Sequence, residues 1–260
     1  MSINSSSAPS PFTPRLDGRA LDFIKICAAA LMVVDHIDYT LLDRTQLWMF
    51  VLGRAVFPLF CFAVATAVFK AGPEKGPHYG VMKYAPRLLL LALVTEPISR
   101  YARDIDVLNV LFTLSAGAAL AGLSWRIRDA WLYALLPLAA VLQLFLPSVM
   151  EFDLAGAALP AAFLMALRGR KYALPLLLLL LCTVNAANQA HDIFSAVTSA
   201  RTLTVLIAAA TGAVFIPAFI LDVAKNLPRD GRFLSKYALH VFYPGHLLLI
   251  HLVAVLAGWP

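Results

Sequence analysis

Long apolar runs, broken at intervals by charged residues or by proline and glycine, set the rhythm of this chain. The first begins at Leu21 and ends in "LMVVDHIDYT", residues 31–40. A membrane-spanning helix needs roughly 20 mostly apolar residues, with a range of about 17–25. On that measure the pattern predicts nine spans, over about 21–42, 47–69, 84–101, 107–123, 130–147, 151–167, 172–187, 202–223 and 238–257. The fifth to seventh are short, and one of them fits a re-entrant segment. The expected fold class is therefore all-α, a polytopic integral membrane bundle of about nine transmembrane helices. Residues 1–14, rich in Ser and Pro, read as a disordered tail ahead of a single transmembrane domain over 15–260. The first apolar run ends with no small-residue cleavage pattern, so it reads as an uncleaved helix and not as a signal peptide.

Composition agrees with the pattern. The chain is 61% hydrophobic and 14% charged, where a soluble domain carries about 25% charged residues. A net charge of +6 would in a soluble protein raise the question of nucleic acid. In a membrane protein it is the signature of basic loops kept on the cytoplasmic side, so the expected surroundings are lipid and no nucleic acid. Placing the N-terminus in the cytoplasm puts Arg15, Arg19, Lys70, Lys75, Lys83, Arg87, Arg126, Arg128, Arg168, Arg170, Lys171, Lys225, Arg229, Arg232 and Lys236 on the inner side. The outer loops keep Arg44, Arg100, Arg103 and Arg201, mixed with acidic residues. The expected location is the bacterial inner membrane, multi-pass. Cys27, Cys61 and Cys182 lie in apolar runs without metal-like spacing, which predicts neither a disulfide framework nor a metal site.

Candidate chemistry lies in the polar residues within the apolar runs. An ionisable group at bilayer depth costs about 2.5–3.5 kcal/mol on insertion scales, so it faces the bundle interior and marks function. Lys25, Asp35, His36, Arg54, Glu96 and His246 qualify, with Asn109 and His251 as weaker cases. Counting residues from the turns puts Asp35 level with Arg54, and Glu96 and Asn109 near the same depth. His251 reaches that layer, with His246 about one turn deeper. Helix one also holds Lys25 eleven residues before His36. At about 100° per residue the two share a face, about 16 Å apart along the axis. Asp35 points about 100° away from His36, which favours a pair with Arg54 over a role in orienting the imidazole. Each group also has a structural role open to it: snorkelling for Lys25, an ion pair for Asp35 and Arg54, solvation for Glu96, and an interhelical hydrogen bond for His246.

Five stretches then come together as a pattern. They are "LDFIKICAAALMVVDHIDY" (21–39), "LGRAVFPLFCFAVATAVFKAG" (52–72), "YAPRLLLLALVTEPISRYA" (84–102), "LNVLFTLSAG" (108–117) and "KYALHVFYPGHLLLIHL" (236–252). In this order they resemble the TraX family, over about the first 125 residues and the last 25, while 126–235 match only loosely. The resemblance implies a role in conjugation and pilus biogenesis for a plasmid-encoded system. It implies acetylation of the pilin N-terminus, with acetyl-CoA as donor and no metal. The spacing from Lys25 to His36 also resembles an element of the wider membrane O-acyltransferase group in which the His is catalytic. His36 is then the expected base, and Lys25, Arg54 and Arg87 are candidates to hold the donor's phosphates or order the site. Glu96 or His246 would fix the imidazole tautomer, and Asn109 or Tyr243 would donate to the oxyanion. Asp35 belongs to the same catalytic group through Arg54. Two other classes stay open on the residues alone: a proton-coupled transporter, and a non-enzymatic factor for pilin maturation or pilus assembly.

Overall fold

The computed structural model describes residues 18–103, 106–187, 200–227, 231–235 and 237–258. Among these the chain is all-helical, with ten α-helices and one π-helical turn: α1 (Gly18–Leu41), α2 (Leu47–Gly53), α3 (Val56–His78), the π turn (Tyr79–Tyr84), α4 (Ala85–Arg103), α5 (Val110–Leu123), α6 (Asp129–Gln143), α7 (Asp153–Leu167), α8 (Ala173–Ala187), α9 (Ala200–Lys225) and α10 (Ala238–Leu256). The expected tail at 1–14 lies outside the described residues.

Among the described residues three stretches are long and apolar enough to cross a membrane: Leu47–Arg103, Thr204–Lys225 and Ala238–Leu256. Large apolar side chains stand exposed on them, including Leu93 on α4, Phe215 and Phe219 on α9, and Leu249 and Leu252 on α10. Each of α5 to α8 is an apolar helix of 14 or 15 residues. That is about 21–23 Å at 1.5 Å per residue, below the roughly 30 Å of a hydrocarbon core. The reasons are local. Asn109 caps α5 by accepting from the Leu111 amide, and Leu108 before it is drawn into a bridge with Met150. Helix α6 ends at Gln143, whose side-chain oxygen accepts from the Ala155 amide on α7 at 2.6 Å. Helix α1 is 24 residues long but carries Arg19, Asp22, Lys25, Asp35 and Asp38, which keeps it outside the apolar class.

Residues 70–83, expected as a loop, are helical. The chain instead turns at Gly72, where φ is 76° and ψ 175°. Glycine reaches that region without a Cβ penalty. The backbone then passes through the π turn into α4. A second break falls at Arg54 and Ala55, which divides the expected 47–69 helix into α2 and α3.

Small residues hold the centre together. Helices α5 and α7 are rich in Ala and Gly, and the π turn lies against α5 on the other side. A Cβ on Gly80 would come within 2.7 Å of the Ala118 carbonyl oxygen and of the Gly122 Cα. One on Gly117 would come within 2.7 Å of Pro160 Cγ. Close backbone approach replaces the hydrophobic effect as the glue between helices in lipid, because lipid tails are as apolar as leucine. The backbone atoms facing Gly80 belong to a rigid helix and cannot yield. Gly80→Val is expected to lower the melting temperature in detergent sharply, at a cost of at least about 1–3 kcal/mol. Gly245→Ala, which meets nothing within 4 Å, is expected to melt like the parent.

Candidate functional site

A cavity of about 1140 Å³ opens between α1, α3, α4 and α10, with the 148–152 and 231–235 segments closing its sides. His36 lines it, only 7% exposed. Its Nδ1 lies 2.8 Å from His246 Nε2, and the two rings are within 7° of parallel. His246 Nδ1 lies 2.9 Å from the Phe242 carbonyl oxygen, one turn back on α10. With both rings neutral, these contacts fix both tautomers. A carbonyl only accepts, so His246 carries its proton on Nδ1 and donates it there. Its Nε2 is then an acceptor, and His36 Nδ1 must be the donor. That leaves His36 Nε2 with a free lone pair. It makes no hydrogen bond among the described residues.

Between Glu96 and His246 as the partner of His36, the geometry selects His246. Glu96 is committed elsewhere. Its Oε1 accepts from Arg100 Nε at 2.7 Å, and its Oε2 accepts from the Asn109 amide at 3.0 Å and from Asn109 Nδ2 at 2.8 Å. Asn109 also donates to the Ala92 carbonyl at 3.1 Å. Together they clamp the end of α4 to the start of α5, and neither lines the cavity. The common layer expected for five helices is therefore split, with α4 and α5 spending these two groups on each other. His251 stands against the Tyr101 ring, with centroids 4.7 Å apart, and does not line the cavity either. Tyr243 does, and its hydroxyl has no partner at hydrogen-bond geometry among the described residues.

Asp35 and Arg54 pair as their equal depth suggests. Arg54 Nη2 donates to Asp35 Oδ1 at 3.1 Å, and the guanidinium lies over the Phe50 ring at 4.5 Å. Gly53 is part of the same device, because any Cβ there would collide with the Asp35 carboxylate. The Gly-Arg dipeptide thus clears a space and fills it with a cation. Lys25 and Arg87 line the cavity as well, away from His36.

Several groups at the site lie outside the residues expected from sequence. Arg103 and Glu151 form an ion pair at 2.5 Å on the cavity wall. Arg103 Nη2 also donates to Ser99 Oγ at 2.8 Å, and the Tyr39 hydroxyl donates to the Arg103 carbonyl at 2.9 Å. In sequence both charges read as loop residues. The bridge between Leu108 and Met150, with the Thr113 hydroxyl donating to the Glu151 carbonyl, folds Glu151 back over the cavity. Asp22 is fully buried and Arg232 lines the cavity opposite Lys25. The signal for Asp22 was visible, a carboxylate inside an apolar run one turn before Lys25, but its partner lies 210 residues away.

The comparisons with known proteins come down on one family. The model described as TraX protein matches residues 20–254. The match runs through the middle of the chain, where the motifs alone had given only a loose likeness. No curated protein and no solved structure matches the chain. With the family model covering nearly the whole of the described bundle, this chain belongs to the TraX family.

Proposed function

We propose that this protein is an integral membrane acyltransferase that moves an acetyl group from acetyl-CoA to the N-terminal amine of a conjugative pilin. In this reading nine hydrophobic segments lie in the bacterial inner membrane with the N-terminus in the cytoplasm. The observation that carries the proposal is the relay from the Phe242 carbonyl through His246 to His36, which leaves a neutral imidazole with its Nε2 lone pair beside a large cavity. That is the state a general base requires. Membership of the TraX family and the cations along the cavity support the same reading.

The acceptor nitrogen attacks the thioester carbonyl carbon, forming a C–N bond. His36 Nε2 takes the proton that this nitrogen loses. The C–S bond then breaks, and the departing thiolate receives that proton from His36 to leave as the free thiol. Positive charge arriving on His36 is shared with His246, whose Nδ1–H is anchored on a helix carbonyl. Tyr243, buried beside the His246 ring with centroids 5.8 Å apart, would donate to the oxyanion. Asp35 acts at one remove, holding Arg54 at the cavity wall and keeping that cation neutralised.

His36→Ala is expected to lower acetyl transfer by about 10²–10⁴-fold, the usual worth of a positioned acid–base group, while the protein still inserts and still binds acyl-CoA. The readout is the intact mass of pilin made with each variant, together with single-turnover rates. Full transfer by His36→Ala would remove the residue from the chemistry. His246→Ala is expected to fall between His36→Ala and the parent, because it frees the tautomer without removing the base. Glu96→Gln, in the clamp between α4 and α5, is expected to melt at a lower temperature yet turn over normally per folded molecule.

A further inference from the structure

The end of the cavity farthest from His36 is built by three separate elements. Lys25 from α1, Arg87 from α4 and Arg232 from the 231–235 segment all line it. Their levels agree. Lys25 lies 14 residues before Tyr39, and Arg87 lies 16 before Arg103, while Tyr39 and Arg103 touch at 2.9 Å. At 1.5 Å per residue both cations sit about 21–24 Å from that contact along their helices. Arg232 is brought to the same level by Asp22, one turn before Lys25. The Asp22 carboxylate has no solvent exposure. It accepts from Arg232 Nη2 at 3.4 Å and from the backbone amides of Phe233 and Leu234 at 3.1 and 3.0 Å.

That arrangement divides the labour between the two residues. The backbone amides take up one oxygen of Asp22 and strap the segment to α1. The Arg232 contact with the other oxygen is long, and about half of its side chain, 53%, stays exposed. Lys25 and Arg87 make no ion pair among the described residues, and the one carboxylate close enough to act on Lys25 is the same Asp22. Three cations therefore face one carboxylate that is largely spent on backbone amides. Tyr79, Tyr84 and Ser235 add hydroxyls to the same lining. A concave surface with such a surplus focuses its field on anions. Cations offered from three directions suit a ligand with several charged oxygens better than a single carboxylate, and the arginine fork matches phosphate geometry.

Phosphates of that kind come from two sources, the nucleotide end of an acyl donor and a lipid headgroup. The cavity continues from these cations to His36, about 16 Å along α1 from Lys25. A ligand anchored at one end and reacting at the other fits that length, which favours the donor. We infer that Arg232 is a phosphate-binding residue of the acyl-donor site and that Asp22 positions it by strapping the 231–235 segment to α1. The inference rests on the acyltransferase reading above.

The test compares two donors, acetyl-CoA and S-acetylpantetheine, which lacks the phosphates, in vesicles of neutral lipid and of lipid with added phosphatidylglycerol. Arg232→Gln is expected to raise KM for acetyl-CoA about tenfold, the size of one lost charge-assisted hydrogen bond. KM for S-acetylpantetheine and kcat are expected to stay unchanged, and Arg232→Lys to recover part of the loss. An unchanged KM for acetyl-CoA overturns the inference. So does an effect equal for both donors and confined to the anionic vesicles, which assigns Arg232 to lipid. Should Arg232→Gln lose all turnover, the rise in melting temperature on adding CoA decides. A rise equal to the parent's overturns the inference, and a smaller one supports it. If the parent itself transfers acetyl from neither donor, the acyltransferase reading has failed, and this inference with it.

Discussion

The hydrogen bond between His36 and His246 is the contact on which the rest of the site depends. Two buried imidazoles are each a liability, since an unpartnered polar group in an apolar setting costs several kcal/mol. Joined, and tied to a helix carbonyl, they become a directed chain of donors with a single free lone pair at its end. The direction is imposed from outside, because the Phe242 carbonyl can only accept. Everything that holds α10 against α1 and α4 therefore also sets which nitrogen of His36 faces the cavity. Helix packing and chemistry are here the same constraint seen from two sides.

The other buried charges follow the same logic and mark out the rest of the architecture. Asp35 with Arg54, Arg103 with Glu151, and Asp22 with Arg232 each join two elements that are distant in sequence or turn away from one another. The first two pairs are buried, and a buried pair adds little net stability against a well-packed apolar substitute, but removing one partner alone is costly. The pairs therefore act less as glue than as locators. They fix Arg54, Arg103 and Arg232 on the cavity wall, where free arginines would seek the nearest water. The close-packed small residues of α5 and α7 supply the cohesion from the other side of the bundle.

Much of this was legible in the residues, for physical reasons. A carboxylate, an imidazole or a guanidinium inside an apolar run announces itself, so His36, Asp35, Arg54 and His246 could be named from spacing. Counting 1.5 Å per residue from a turn sufficed to place Asp35 opposite Arg54. The same counting brought Glu96 and Asn109 to the right neighbourhood but not to the right task. Depth along an axis says nothing about rotation around it, and both side chains turn to each other and away from His36. Arg103 and Glu151 were read as loop charges because the chain folds back over the cavity through a short irregular bridge that no hydrophobic period encodes. The helical path through residues 70–83 was hidden for a related reason. Lys70, Glu74, Lys75 and two prolines read as a loop, yet a single glycine turn lets the helix resume on either side.

His36 and His246 stand near opposite ends of the chain, and so do Asp22 and the 231–235 segment that it straps. Neither contact can form until α10 and the 231–235 segment have been laid against α1. Until then His36 sits on the first helix without the neighbour that fixes its tautomer, and the Asp22 carboxylate waits without its donors. A chain that has folded without α10 therefore holds the His36 imidazole but not the contact that gives its tautomer a direction. Docking of α10 against α1 is the event that joins the two imidazoles beside the cavity.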